Sequence, residues 1–176
     1  IKKILPKLNT IVVGPGLGKN ASDILRFIWN TNKSMVIDAD ALDWVSKNFK
    51  KKRKATTIFT PHYGEAKNLL KEDFIDRFSA IKELQNKYGG KWVLKGPGTL
   101  ILNKNYYINN FANSILSTGG TGDILAGIIG GLLCQKITKP EIKGVLIHTK
   151  CAKKILEKKQ KTIIASDLLK QISSII

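Results

Sequence analysis

In the segment STGGTGDILAGIIGGLL, residues 117–133, Gly119, Gly120 and Gly122 crowd in front of Asp123 and an apolar run follows at once. Glycines adopt backbone angles closed to other residues and let a ligand approach the main chain closely. If a helix starts between Thr121 and Asp123, its first N–H groups lack intrahelical partners and its dipole adds positive potential, which makes an anion site suited to phosphate oxygens. Asp123 beside that site could take a proton from a hydroxyl while the N–H groups stabilise charge developing on a transferred phosphoryl group. The plainer alternative stays open: a tight glycine loop, followed by an acid that is merely favourable in a first helical turn.

A second candidate is TPHYGEA, residues 60–66, which holds a histidine and a carboxylate three positions apart. His62 could hydrogen-bond a polar substrate, and Glu65 could hold a magnesium ion through water, since Mg²⁺ usually keeps several of its waters. The alternative is a helix start in which Thr60 caps, Pro61 opens the first turn and Glu65 sits favourably near the N-terminus. GPGLG at residues 14–18 is either a ligand loop or a glycine turn that ends a strand. No Lys-Ser or Lys-Thr pair follows the glycines of residues 119–122, and the G-x-G-x-x-G spacing is not met after the first strand, so neither a Walker A loop nor a Rossmann fingerprint is present. His148, inside an apolar helical stretch, reads as a satisfied core histidine.

The elements that must position these groups alternate. TIVV, SMVI, ATTIFT and KWVLKG are short β-branched or apolar runs that read as buried strands. Helical patterns follow them in ASDILRFIWN, ALDWVSKNF, GEAKNLL and DRFSAIKELQNKYGG, the last with Ile81, Leu84 and Tyr88 on one face. GTLILNKNYYIN predicts a hairpin turned at residues 103–105. The last third predicts helices over residues 123–135 and 140–157 and a short one in ASDLLKQIS capped by Ser166 or Asp167. Strands separated by helices imply an α/β fold, a mainly parallel central sheet with helices on both faces, in one domain spanning residues 1–176. Ligands of such sheets bind beyond the carboxyl ends of the strands. Gly16, Asp38, His62, Glu65, Lys95 and Thr99 all follow predicted strands and should gather on that rim.

Apolar residues make up 43% of the 176, enough for a packed core. The net charge of +17, from 30 basic and 13 acidic residues, invites a polyanion reading, but the lysines are spread through nearly every segment. The one dense run, KKKRK at residues 50–54, falls between elements, so nucleic acid is not an expected partner. Cys134 and Cys151 lack metal-ligand spacing and read as buried free thiols. No apolar run approaches the roughly 20 residues that cross a bilayer and no signal-peptide pattern is seen, so a soluble, cytoplasmic protein is expected.

Together, VVGPGLG, VIDADAL, TPHYGEAKNLL, VLKGPGTLI and LSTGGTGDILAGIIGGLL, with the closing HTKCAKKI and IASDLL, resemble in type and order the NAD(P)H-hydrate dehydratases of the ribokinase-like superfamily. The resemblance implies repair of hydrated NADH or NADPH, driven by ADP or ATP with Mg²⁺, through phosphorylation of the hydrate's hydroxyl and elimination of phosphate. Carried over by position, Asp123 resembles the catalytic base, with Gly120, Thr121 and Gly122 as the anion hole. Gly16, His62 and Asp123 would contact the hydrate; Lys95, Gly96, Pro97, Gly98, Thr99 and Gly122 would contact the nucleotide. Glu65 and Asp38 would join a magnesium and phosphate network. A homo-oligomer is implied, and an epimerase domain is often fused N-terminally in this family. The approach segment NNFANSILSTGG lacks the family's usual glycine and proline. Family members also begin well before IVVGPGLG, so a domain lacking those N-terminal segments would show an exposed sheet edge and poor activity. Two other readings are a small-molecule kinase of the same superfamily, acting on a vitamin precursor or sugar, and a basic polyanion-binding module.

Overall fold

The computed structural model describes residues 3–18, 20–158 and 162–176. After a 3-10 turn at Leu5–Lys7, the chain alternates β1 (Thr10–Val13), α1 (Ser22–Trp29), β2 (Ser34–Ile37), α2 (Ala39–Asn48) and β3 (Thr57–Phe59). Two helices follow, α3 (Tyr63–Leu70) and α4 (Arg77–Tyr88), then β4 (Lys91–Leu94) and the hairpin β5 (Thr99–Leu102) and β6 (Tyr106–Asn109). A second 3-10 turn at Ser114–Ser117 leads into α5 (Thr121–Cys134), α6 (Pro140–Glu157) and α7 (Ala165–Ile172). The six strands lie in sequence order, with β1 to β4 parallel and β5 and β6 antiparallel.

The period-2 alternation of strand side chains divides the core between the two faces of the sheet. Met35 and Ile37 of β2, Phe59 of β3, Trp92 and Leu94 of β4, and Leu100 and Leu102 of β5 meet α1 to α4 on one face. Val36, Ile58, Val93 and Ile101, which alternate with them, meet α5 and α6 on the other. Phe59 and Trp92 stack with ring centroids 4.3 Å apart, which ties β3 to β4 on the first face. A third cluster fills the space between α5, α6 and α7 around Ile124, Ile128, Cys151, Ile155 and Leu168.

The hairpin turns where its sequence predicts. The Asn103 side-chain oxygen accepts from the backbone N–H groups of Lys104 and Asn105, and its amide donates to Glu141 at 2.7 Å. Glu141 is fully buried and also pairs with Lys91 at 3.0 Å, so one carboxylate holds the hairpin against α6.

Three local expectations are corrected. The helix after β3 is capped by His62, not Thr60: the buried Thr60 hydroxyl donates instead to the Ile37 carbonyl at 3.3 Å. α7 is capped at Ile164, ahead of both Ser166 and Asp167, and Asp167 instead reaches back from the first turn to accept the Ile164 N–H at 3.2 Å. Cys151 is buried as expected, but Cys134, at the last position of α5, is exposed. Among the described residues no helix is long and apolar enough to cross a membrane.

Candidate functional site

The loops after β1, β2, β3 and β4 lie on one rim, and backbone contacts lock them together. Gly14 adopts φ +127°, and a Cβ there would overlap the Asp38 carbonyl oxygen, so the loop after β1 touches the loop after β2 through bare backbone. The Asp38 N–H donates to Val13, and the Gly18 N–H donates to the Asp40 carboxylate at 2.8 Å. Gly16, two residues on, has φ +61° and open space where a Cβ would stand. The Lys95 N–H, after β4, donates to the Pro61 carbonyl at 2.8 Å, which joins the loops after β3 and β4.

Side chains converge across this frame. The Lys95 ammonium donates to Asp38 Oδ1 at 2.8 Å and lies 3.7 Å from Glu65 Oε2. Asp38 is 1% exposed and lies at the end of a buried strand, so its charge depends on that partner. His62 and Glu65 form a reciprocal capping box. The Glu65 N–H donates to His62 Nδ1 at 3.3 Å, and the His62 N–H donates to Glu65 Oε2 at 2.7 Å. The plain helix-start role is therefore realised, with Glu65 near the N-terminus as expected and His62 in place of Thr60 as the cap, yet it leaves the His62 ring more than half exposed on the rim.

The start of α5 has the geometry of an anion site. Gly120 caps the helix at φ +83°, a left-handed position. The Thr121 N–H is taken by the Thr118 carbonyl at 3.3 Å, and the buried Thr121 hydroxyl is shared by the carbonyls of Leu116 and Thr118 at 2.6 and 2.8 Å. Thr121 thus anchors the turn. Among the described residues the free N–H groups of the first turn are those of Gly122 and Asp123, because Ile124 already donates to Gly120. Asp123 is exposed, and its carboxylate has no hydrogen bond or ion pair among the described residues. A Cβ on Gly122 would lie 3.2 Å from the Lys95 ammonium, so the cation borders the anion site.

A cavity of about 400 Å³ opens beside this turn, lined by Lys95, Gly96, Pro97, Thr99, Thr121 and Gly122 and closed on its far side by residues 109–117 and α6. It unites most of the expected nucleotide segment with the start of α5. Gly16, Asp38, His62, Glu65, Gly98, Gly120 and Asp123 lie outside its lining; Asp38 and Glu65 reach it only through Lys95.

The sequence reading missed two contributors, Asn109 and Arg77, and its reading of His148 as a satisfied core histidine is borne out, although that residue also borders the cavity. Asn109 lines the cavity and donates to the Thr149 hydroxyl at 2.7 Å, which fixes β6 to α6. His148 also lines it, with Nε2 at 2.9 Å from the Thr121 carbonyl; because the carbonyl can only accept, Nε2 carries the proton. Burial drives the His148 pKa down from 6.5 to about 4; the Thr121 carbonyl opposes the shift and the Lys95 charge adds to it. Arg77 holds the loop after β4 from behind. The basic run at residues 50–54 lies at the opposite end of the sheet, where Arg53 donates to the carbonyls of Thr31 and Lys33 ahead of β2.

Among the described residues no three ligating side chains converge as a metal cage. Asp38 and Glu65, both facing one ammonium, fit a magnesium ion held through its waters rather than by direct ligation.

Residues 2–174 match the NAD(P)H-hydrate dehydratase family. The chain is 40% identical over 179 residues to the bifunctional NAD(P)H-hydrate repair enzyme Nnr of Coxiella burnetii, a match covering 96% of this chain and 36% of that protein. It is 34% identical to the ADP-dependent (S)-NAD(P)H-hydrate dehydratase of Neisseria meningitidis, over 85% of this chain and 56% of that one. The fold superposes with a TM-score of 0.84, at 27% identity, on the ADP/ATP-dependent NAD(P)H-hydrate dehydratase from Bacillus subtilis, co-crystallised with ATP/Mg²⁺ and soaked with CoA. That match covers 95% of this chain and 65% of the Bacillus chain. The chain therefore spans about a third of the Coxiella protein and somewhat under two thirds of the Bacillus one. The ribokinase-like α/β architecture is the one expected from its motifs, and by sequence and fold this chain belongs to the NAD(P)H-hydrate dehydratase family.

Proposed function

We propose that this protein restores hydrated NADH or NADPH to the working cofactor at the expense of ADP or ATP. The observation that carries the reading is the start of α5, where, among the described residues, Asp123 holds an exposed, unpaired carboxylate and Gly122, with its free N–H, borders the Lys95 ammonium and a cavity lined by Lys95, Gly96, Pro97 and Thr99. Hydroxide is a poor leaving group, so dehydration needs the substrate hydroxyl converted to a phosphate ester. Asp123 accepts the hydroxyl proton as its oxygen bonds to the terminal phosphorus of the nucleotide. The N–H groups of Gly122 and Asp123, with Lys95, hold the phosphoryl oxygens while the bond to the nucleotide breaks. The phosphate then leaves carbon with its bonding electron pair, and the neighbouring carbon gives up a proton to solvent, so that the nicotinamide double bond is regenerated.

Gly16 and His62 present the hydrate to Asp123 from the loops after β1 and β3, and Lys95, Gly96, Pro97, Gly98 and Thr99 hold the nucleotide. Gly120 sets the turn and Thr121 anchors it. Asp38 and Glu65 orient Lys95 and would hold magnesium through water; when bound with the nucleotide, that ion supplies neutralisation of phosphate charge. A cytoplasmic homo-oligomer belongs to the same reading, as does a single catalytic domain over residues 1–176.

The test is to incubate the full-length protein with enzymatically prepared NADH hydrate and either ADP or ATP and follow the return of reduced-nicotinamide absorbance. Recovery that requires a nucleotide and is lost in Asp123→Asn supports the reading. No recovery with either nucleotide sinks it, and phosphoryl transfer to a vitamin precursor or sugar in its place would make the protein a kinase of the same fold.

A further inference from the structure

Arg77 opens α4, just after the Asp76 cap, and lies behind the loop that joins β4 to β5. Its guanidinium donates from Nη1 to the Pro97 carbonyl at 2.6 Å and the Gly98 carbonyl at 3.1 Å, and from Nη2 to the Leu94 carbonyl at 3.0 Å. No carboxylate pairs with Arg77 among the described residues, so a half-buried cation spends its donors entirely on backbone. Burial lowers its pKa, as removing a cation from water must, yet a guanidinium stays charged at neutral pH.

We infer that Arg77 is a positioning residue that sets the 95–99 loop in its nucleotide-binding form, a role that rests on the nucleotide reading of that loop. The three carbonyls belong to the last residue of β4 and to two successive residues of the loop, so one rigid fork fixes both the loop's entry and its exit. The chain has no cis peptide among its described residues, and in a trans peptide the C=O and the next N–H point in opposite directions. Holding the carbonyls of Pro97 and Gly98 on the Arg77 side therefore turns the N–H groups of Gly98 and Thr99 away from it. Lys95, Gly96, Pro97 and Thr99 line the 400 Å³ cavity, whereas Arg77 does not, so its influence on a bound nucleotide passes through the loop. Lysine offers a single point of donation in place of the fork and cannot bridge three carbonyls in the same way.

The experiment compares Arg77→Lys and Arg77→Gln with the wild type in the full-length protein. ADP and ATP affinities are measured by calorimetry in the presence of Mg²⁺, and backbone hydrogen exchange is measured in nucleotide-free protein. Val45→Ala, a core truncation in α2 away from the loop, serves as a generally destabilised control. Both Arg77 variants should bind ADP and ATP about tenfold more weakly, the cost of losing one charge-assisted hydrogen bond. Their exchange should accelerate over residues 96–99 while the amides of β2 and β3 stay protected; Val45→Ala should keep wild-type affinity. Wild-type affinity in both Arg77 variants overturns the inference, as does weakening matched by Val45→Ala. If the wild type itself binds neither nucleotide, the nucleotide reading and this role fall together. Exchange that accelerates in that case leaves Arg77 a purely structural clamp.

Discussion

The Lys95 ammonium lies 2.8 Å from Asp38 Oδ1, and the two residues, 57 positions apart, follow β4 and β2, strands separated in the sheet by β3. The Asp38 side chain is 1% exposed and that of Lys95 is 18% exposed, so water screens neither fully. Removing one partner strands a buried charge. Lys95→Met should destabilise the fold by about 3–5 kcal/mol as well as weaken nucleotide binding. Adding Asp38→Asn to it should recover much of that stability without restoring nucleotide affinity. Urea unfolding of the single and double variants decides the point: equal instability in both would show that the pair is not coupled.

Asp123 presents the opposite case, an exposed carboxylate without a partner among the described residues. Asp123→Asn keeps the shape and the helix start but removes the proton acceptor. Dehydration should fall by about 10²- to 10⁴-fold. Stability should stay within about 0.5 kcal/mol of the wild type, as for surface positions generally. Full dehydratase activity in this variant would exclude Asp123 as the base.

Gly14 and Gly16 look alike in sequence and differ in the structure. At Gly14, φ is +127° and an added Cβ would overlap the Asp38 carbonyl oxygen; at Gly16, φ is +61° and the space is open. Gly14→Ala should therefore cost about 2–4 kcal/mol, from strain and displacement of the Asp38 loop. Gly16→Ala should cost only about 1–2 kcal/mol, the left-handed penalty, while placing a methyl group where the hydrate is proposed to lie. Thermal melts of the two variants should separate them clearly, and equal losses would refute the assignment.

That contrast shows what was legible in the sequence. The strands, the hairpin and the rim that gathers the strand-end loops were readable because each depends on local signals: β-branched runs, glycine turns and side-chain periodicity. The start of α5 behind its glycines was readable too, although the identity of its free N–H groups was not. Thr121 was expected to contribute to the anion hole, but its N–H and hydroxyl are committed to the carbonyls of residues 116 and 118. Arg77 and the Lys95–Asp38 pair were hidden for a different reason. Their partners lie 17 to 21 and 57 residues away, distances over which a single sequence carries no register. His62 was ambiguous for a third reason, since the cap and the exposed ring use the same side chain.

His148 gives the pH dependence a definite sign. It is 7% exposed, its Nε2 proton is donated to the Thr121 carbonyl at 2.9 Å, and its pKa is depressed from 6.5 to about 4. The unfolded chain therefore binds a proton there more readily than the folded one. The stability associated with the neutral ring is complete above pH 6.5, declines as the pH falls through 6.5, and is exhausted near the folded value of about 4. Between pH 7.5 and pH 5 the wild type should lose about 2 kcal/mol from this group alone. His148→Gln can offer an amide N–H to the same carbonyl but has nothing to titrate, so its stability should vary less over that interval by about the same amount. Urea midpoints for both proteins at the two pH values measure the difference. Because the bond ends on the first residue of α5, His148→Leu should lower kcat more than His148→Gln does. Parallel pH profiles of stability in the wild type and His148→Gln would mean that the ring is not held neutral, and the link between α6 and the anion turn would have to be abandoned.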